Sequence, residues 1–308
     1  MKQLVFLICA LLISCEKKEV SLTKTDLAPK EIAISSSLLM TSSSLNFSSS
    51  SIHISSSNLS STIDSSGICI ACNSFPPSAP TLHQNGGSGS VTSYGSIIEQ
   101  ETSQGGACNY GETNIQYYAA VHVHQNSGDN LGPWNNGLAC GACVSVKVKT
   151  PTGWKKTIVR ITDKCPDEYC GIDLGGAPTL DLMGKEVGRY EGEWEFVPCK
   201  GIKNVYGDST SIYTKEGTNS FWSVIQVRNP PDALKSITLV NLKDSTTYNL
   251  ELAIEAENYW GVPSDVLQSE DSFSITVTYR SGEPDTWILT GNQLAQEQET
   301  YYLQNKNR

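Results

Sequence analysis

Eight cysteines fall between residues 69 and 199 of this 308-residue chain, and none lies beyond Cys199. An even set gathered in one stretch marks either disulfides or a metal centre, and both staple a small, loop-rich fold. Cys69-x-x-Cys72 and Cys140-x-x-Cys143 have the spacing of zinc ligands. The N-terminus favours disulfides instead. Lys2 supplies a positive charge and residues 4–13 an apolar run, far short of the roughly 20 residues that span a bilayer. This is the pattern of an export signal, and export leads to an oxidising compartment. The other two cysteines, Cys9 and Cys15, lie within the signal.

Leu12-Ile13-Ser14-Cys15 resembles the bacterial lipoprotein box, in which the Cys is lipidated and becomes the new N-terminus. Cys15 is therefore the expected lipidation site, with residues 1–15 as signal, and an ordinary secretory signal cleaved nearby is the alternative. The expected location is the cell surface or the outer membrane, held through lipid. Residues 16–80 read as a flexible linker, with serine dominating 35–66. Such a stretch buries too little apolar surface to offset its ordering entropy. As a flexible coil it would span roughly 45 Å end to end. The formal charge of −10 and pI near 4.9 leave no basic stripe for nucleic acid. The same balance disfavours polyanionic wall polymers and suits a neutral polysaccharide.

Beyond residue 80 short alternating runs are broken by Gly, Pro, Asn and Asp. Residues 142–149, 157–162 and 193–197 read as strands, as do 223–227, 236–240, 248–254 and 273–279. Only residues 180–187 read as a short helix. About 227 residues suffice for two domains, and the last cysteine places the boundary between residues 199 and 211. The expected organisation is all-β, with domains at 81–205 and 206–308.

Four segments carry a resemblance to expansins. Gly105-Gly106-Ala107-Cys108-Asn109-Tyr110-Gly111 is similar to the family's Gly-Gly-Ala-Cys-x-Tyr-Gly opening. Asn135-Asn136-Gly137-Leu138-Ala139-Cys140-Gly141-Ala142-Cys143 follows, then Thr162-Asp163-Lys164-Cys165-Pro166 with Ile172-Asp173-Leu174. Phe221-Trp222 with Gln226-Val227-Arg228-Asn229 resembles the Trp-Trp…Gln-Val-Arg-Asn strand of bacterial expansins. The resemblance covers about residues 88–290. It implies a six-stranded double-psi β-barrel like that of family-45 cellulases, then an immunoglobulin-like β-sandwich of carbohydrate-binding family 63. It also implies the disulfides Cys108–Cys140, Cys143–Cys199 and Cys165–Cys170, which leaves Cys69 and Cys72 to pair with each other.

The implied activity is non-hydrolytic loosening of cellulose or related neutral glucans by a monomer, with no metal and no cofactor; a weak endo-glucanase and a non-catalytic cellulose-adhesion lipoprotein are the alternatives. Inverting hydrolysis needs one carboxyl acid and one carboxyl base. Asp163 matches the family's Thr-Asp carboxylate, whereas Thr92 stands on the first barrel strand where the cellulases carry the base. Asp173 is the expected second groove carboxylate, with Asp181 as rival. Tyr94 and Trp134 are candidates to line the groove. Sugar C–H faces shed water against aromatic rings, so Phe221, Trp222 and Tyr259 form the implied platform, with Trp260 a possible substitute. Glu99, Glu101, Asp167 and Glu168 are further acids near these strands. His122 and His124, two apart on one strand face, lack an evident third ligand for a metal.

Overall fold

The computed structural model describes residues 75–83, 85–123, 133–185, 188–207, 209–254 and 258–303, with the backbone of 62–63 and 69–70. The export signal with Cys15, nearly all of the serine-rich stretch, the Cys69–Cys72 pair and His124 lie outside the described residues. Among the described residues no helix is long and apolar enough to cross a membrane.

Thr62–Ile63 (β1) pairs with Cys69–Ile70 (β2). The first large sheet holds β3 (Thr81–His83), β4 (Gly86–Ser93), β5 (Tyr118–His122), β6 (Cys143–Thr150), β7 (Gly153–Cys165), β8 (Ile172–Leu174) and β9 (Tyr190–Val197). Its order is β4-β8-β5-β7-β6-β9, and β9 pairs back onto β4, so six strands close into a barrel. β4–β8 and β5–β7 are parallel, and β3 extends β4. Closure leaves no free edge among the six. β6 shows why the chain builds strands here: Val144, Val146 and Val148 are fully buried, and Lys147 and Lys149, on either side of Val148, are exposed. Each such valine contributes about 1.5–3 kcal/mol by leaving water.

The first barrel strand begins at Gly86, within a run whose glycines would ordinarily weaken a strand. Trp194 of β9 explains the run. A Cβ on Gly87 would stand 2.6 Å from its indole, and one on Gly171 2.3 Å. The ring fills a slot that only glycine leaves open.

The one α-helix among the described residues of the barrel, α1, runs over Gly176–Met183 and not 180–187. The Gly-Ala-Pro-Thr segment is its first turn, where the missing N–H of Pro178 has no intrahelical partner to lose. Gly184 ends it at φ 67°, donating its N–H to Leu180 O at 2.9 Å.

The second half forms two sheets. One is β14 (Leu252–Ile254), β15 (Tyr259–Val262), β11 (Ser223–Arg228), β10 (Ser211–Thr214) and β18 (Thr300–Tyr302). The other is β13 (Thr247–Asn249), β12 (Leu234–Asn241), β16 (Ser272–Tyr279) and β17 (Pro284–Thr290). Ile225, Ile237, Leu239, Ile275 and Val277 fill the space between them. The run 248–254, read as one strand, is divided between the sheets. Leu250 N donates to Ile237 O of β12, and Glu251 O accepts from Gly261 N of β15, both at 2.9 Å. The chain changes sheet across one peptide without breaking its apolar alternation.

Barrel and sandwich join around a buried cation. Arg160 of β7 is almost fully buried, and among the described residues its guanidinium bonds to no carboxylate. Its guanidinium donates to Gly141 O (2.9 Å), Val205 O (2.9 Å), Asn229 Oδ1 (2.6 Å) and Pro230 O. Burial lowers its pKa to about 10. Beside it, Gln226 on β11 donates to Cys108 O at 2.9 Å, and its own carbonyl accepts from Arg228 Nε at 3.0 Å. Asn258 donates to the Tyr110 hydroxyl at 3.3 Å, and Cys199 N to Pro231 O at 2.7 Å. The barrel therefore lies against the outward face of the five-stranded sheet.

Candidate functional site

Sheet register brings the polar residues of the barrel together. Thr92 of β4 is opposite Asp173 of β8, Asp173 opposite Ala120 of β5, and Ala120 opposite Asp163 of β7. Residues in register share a face, so the four form one rung across neighbouring strands. Ala120, the smallest of them, separates the two carboxylates. Tyr94 and the Cys165–Cys170 disulfide pack against Ala120. Two further disulfides, Cys108–Cys140 and Cys143–Cys199, tie the barrel's loops.

Asp163 is held from below. Its Oδ1 accepts from Ala107 N and from Lys164 N, each at 2.8 Å. The Gly105–Gly106 backbone has positive φ, and a Cβ on Gly106 would lie 2.4 Å from the Asp163 carboxyl carbon. Only glycine lets this loop close over the carboxylate. On the other side of Ala120, Thr92 Oγ1 donates to Asp173 Oδ1 at 2.7 Å. Burial pushes the Asp173 carboxyl up to about 6, against the opposing effect of Thr92, and the charges of Asp163 and Asp167 push it the same way as burial. Tyr94 stands edge-on to Tyr118, with centroids 5.6 Å apart. Burial, then the nearby Asp163, raises the Tyr94 phenol far above its ordinary range, so it stays a protonated donor. The rung and Tyr94 therefore set hydroxyl and carboxylate oxygens side by side, which is what a neutral, hydroxyl-rich ligand requires.

A pH dependence follows from Asp173. Its folded-state pKa lies above the ordinary 3.8, so its contribution is fully present below that value and is lost as pH rises through about 6. The loss amounts to about 1–3 kcal/mol. Asp173→Asn, which mimics the protonated carboxyl, is expected to raise urea stability by that amount at pH 7 and leave it unchanged at pH 3.5. Parallel stability profiles for the two proteins from pH 3.5 to 7 would refute the shift.

Several sequence-based expectations change here. Trp134 is 1 % exposed and belongs to the barrel core, so it lines no groove. Tyr259 (4 %) and Trp260 (5 %) are also buried. Trp260 faces inward opposite Ile225 and packs in the sandwich core, while the Lys215 ammonium lies over the Tyr259 ring at 5.5 Å. Phe221 (76 %) and Trp222 (43 %) are exposed. Strict alternation would send these neighbours to opposite faces, but both precede β11. They sit in a turn where Asn219 Oδ1 accepts from Phe221 N (2.9 Å) and Trp222 N (3.2 Å).

Asp181, the rival to Asp173, lies on α1 and accepts from the Tyr117 hydroxyl, outside the rung. Glu101 accepts from Ser96 N at 3.4 Å, Asp167 from Tyr169 N at 2.8 Å, and Glu99 donates its N–H to Ser96 Oγ at 3.0 Å. His122 is buried on β5. Arg160, Gln226 and Asn229 escaped notice as joint residues. The available signal was Gln226 alternating with Ile225 and Val227, which puts an amide on the face away from the core, where it needs a partner.

No family model matches the chain. A curated protein named expansin-like protein 1, from Dictyostelium discoideum, is 30 % identical over 162 residues. That match covers 50 % of this chain and 52 % of the relative, so the chain spans about half the relative's length. Among solved structures, the apo expansin of Clavibacter michiganensis matches with a TM-score of 0.51 and 21 % identity, over 70 % of this chain and 94 % of that one. An aspartate-to-asparagine mutant of that expansin in complex with cellohexaose matches over the same shares, at 22 % identity and TM-score 0.51. The likeness shows an expansin-like all-β fold.

Proposed function

We propose that this chain is an exported expansin-like protein that binds cellulose-type glucans and loosens them without cutting. The observation that carries this reading is the rung Thr92–Asp173–Ala120–Asp163. Its hydroxyl and carboxylates can take hydrogen bonds from neighbouring glucan chains. The position facing Asp173 on β4 holds a hydroxyl, and a neutral hydroxyl cannot deprotonate water as an inverting enzyme's base must. Exposed Phe221 and Trp222 supply apolar faces for adsorption. The relative's name, and the cellohexaose in the Clavibacter complex, support a glucan as ligand. Domains 81–205 and 206–308 act as one monomeric body. Residues 16–80 tether that body to lipid at Cys15, and three disulfides accord with export.

The test incubates the full chain with amorphous cellulose, measuring adsorbed protein and new reducing ends in the same tubes. Adsorption without sustained release is expected, together with weakening of cellulose strips at constant mass. Phe221→Ala with Trp222→Ala is expected to lower adsorption about tenfold, the equivalent of about 1.4 kcal/mol of lost ring contact. Sustained release abolished by Asp163→Asn would make the protein a glucanase and overturn the reading.

A further inference from the structure

Among the described residues, the outward rows of the four-stranded sheet hold no charged side chain, and Arg280, just past β16, turns to the Phe196 ring of the barrel at 4.5 Å. In its central row Asn249, Thr238, Thr276 and Thr286 are in register across all four strands. The next row is Thr247, Val240, Ser274 and Ile288, and Ser236, Thr278 and Pro284 flank the first row on its other side. The alternation of buried and accessible positions along β12 and β16 puts these side chains outside. Not one of them is ionisable. The ionisable residues of these strands go elsewhere: Asp285 points inward to the Tyr279 hydroxyl at 2.9 Å, and Lys235 falls on the bulge between Leu234 and Ser236. Surfaces of soluble domains are usually about 25–35 % charged, and this chain has 32 acidic and 22 basic residues to place.

Such a face suits a neutral, hydroxyl-rich polymer. Each Ser or Thr hydroxyl both donates and accepts, and neighbours about 4.8 Å apart within a row, with rows about 6.8 Å apart, make a regular array. Threonine methyls with Val240 and Ile288 offer apolar area to sugar C–H groups. No ion must be stripped of water on contact, so the desolvation penalty stays small. The face is also well placed. Barrel and Gln226 occupy the outward side of the five-stranded sheet, and the sandwich core separates that side from the hydroxyl rows.

We propose that the hydroxyl-bearing face of β12, β13, β16 and β17 is a second contact surface for neutral polysaccharide, so that one chain links two glucan assemblies. The proposal rests on the glucan reading above and adds a bridging activity to it. It is tested with suspended cellulose nanofibrils, following adsorbed protein by depletion and fibril linking by the rise in storage modulus. Thr276→Glu places one charge in the central row, and Thr238→Val with Thr276→Val removes two hydroxyls while keeping β-branched residues that suit a strand.

The wild-type chain is expected to stiffen the suspension. Thr276→Glu should adsorb within about twofold of wild type, since the other side still binds, yet lose stiffening about tenfold or more. The valine variant should fall between them. Equal stiffening by all three overturns the proposal. So does a dimer in light scattering that Thr276→Glu dissolves, because the face would then belong to a second copy of the chain. Failure of the wild-type chain to adsorb at all would instead overturn the glucan reading, and the bridging with it.

Discussion

Replacing Arg160 by alanine is expected to destabilise the folded unit by about 3–5 kcal/mol, the usual scale for removing one side of a buried charged contact. The guanidinium serves three backbone carbonyls and the Asn229 side chain at once. Alanine leaves all four acceptors buried without that donor, and unpaired buried carbonyls are costly. Arg160→Lys is the informative companion. An ammonium keeps the charge but lacks the planar fork that reaches four acceptors in different directions, so it should recover less than half of the loss. Urea unfolding at pH 7 measures both. Increased proteolytic cleavage between residues 200 and 210 in the alanine variant would show that the joint itself has opened. A wild-type urea midpoint for Arg160→Ala would mean that the contact contributes nothing.

Removing the Cys143–Cys199 disulfide with a double alanine variant is expected to lower stability by about 4 kcal/mol, from the chain-entropy relation for so long a loop. Its cysteines are 56 positions apart, whereas those of Cys165–Cys170 are 5 apart. The same relation gives only about 2 kcal/mol for the short loop. Cys143 opens β6, and Cys199 follows β9 and bonds Pro231 across the joint, so the long bridge holds two strands and the domain contact together. Unfolding midpoints for the two double variants should differ clearly. A larger loss from the short loop would show that the bridges act through native packing rather than loop entropy.

The sequence made parts of this molecule legible and left others hidden, for physical reasons. Alternation marks β6, because valine and lysine at period two admit one orientation only. The glycine run at the start of β4 shows no such pattern. Its reason, the indole of Trp194, lies over a hundred positions away in sequence and only the folded barrel reveals it. Register has the same character. Thr92 and Asp173 are 81 positions apart, and nothing local says that they share a hydrogen bond. Aromatic identity also misled. Trp134, Trp222 and Trp260 are equally apolar, but one packs in the barrel, one stands in a turn, and one faces the sandwich core. The residues that bind Asp163 are backbone amides, which any sequence supplies, and what distinguishes them is the room left by Gly106.

The choice of partners at Arg160 sets the conditions under which the two halves stay aligned. A joint built on carboxylates would weaken as counterions screened it and as acid protonated it. Carbonyls and an amide neither titrate nor recruit counterions. With the guanidinium charged up to about pH 10, the clasp is indifferent to acid and to ionic strength. Changes of acidity below that pH, or of mineral content in the surroundings, therefore leave this contact's partners and geometry as they are.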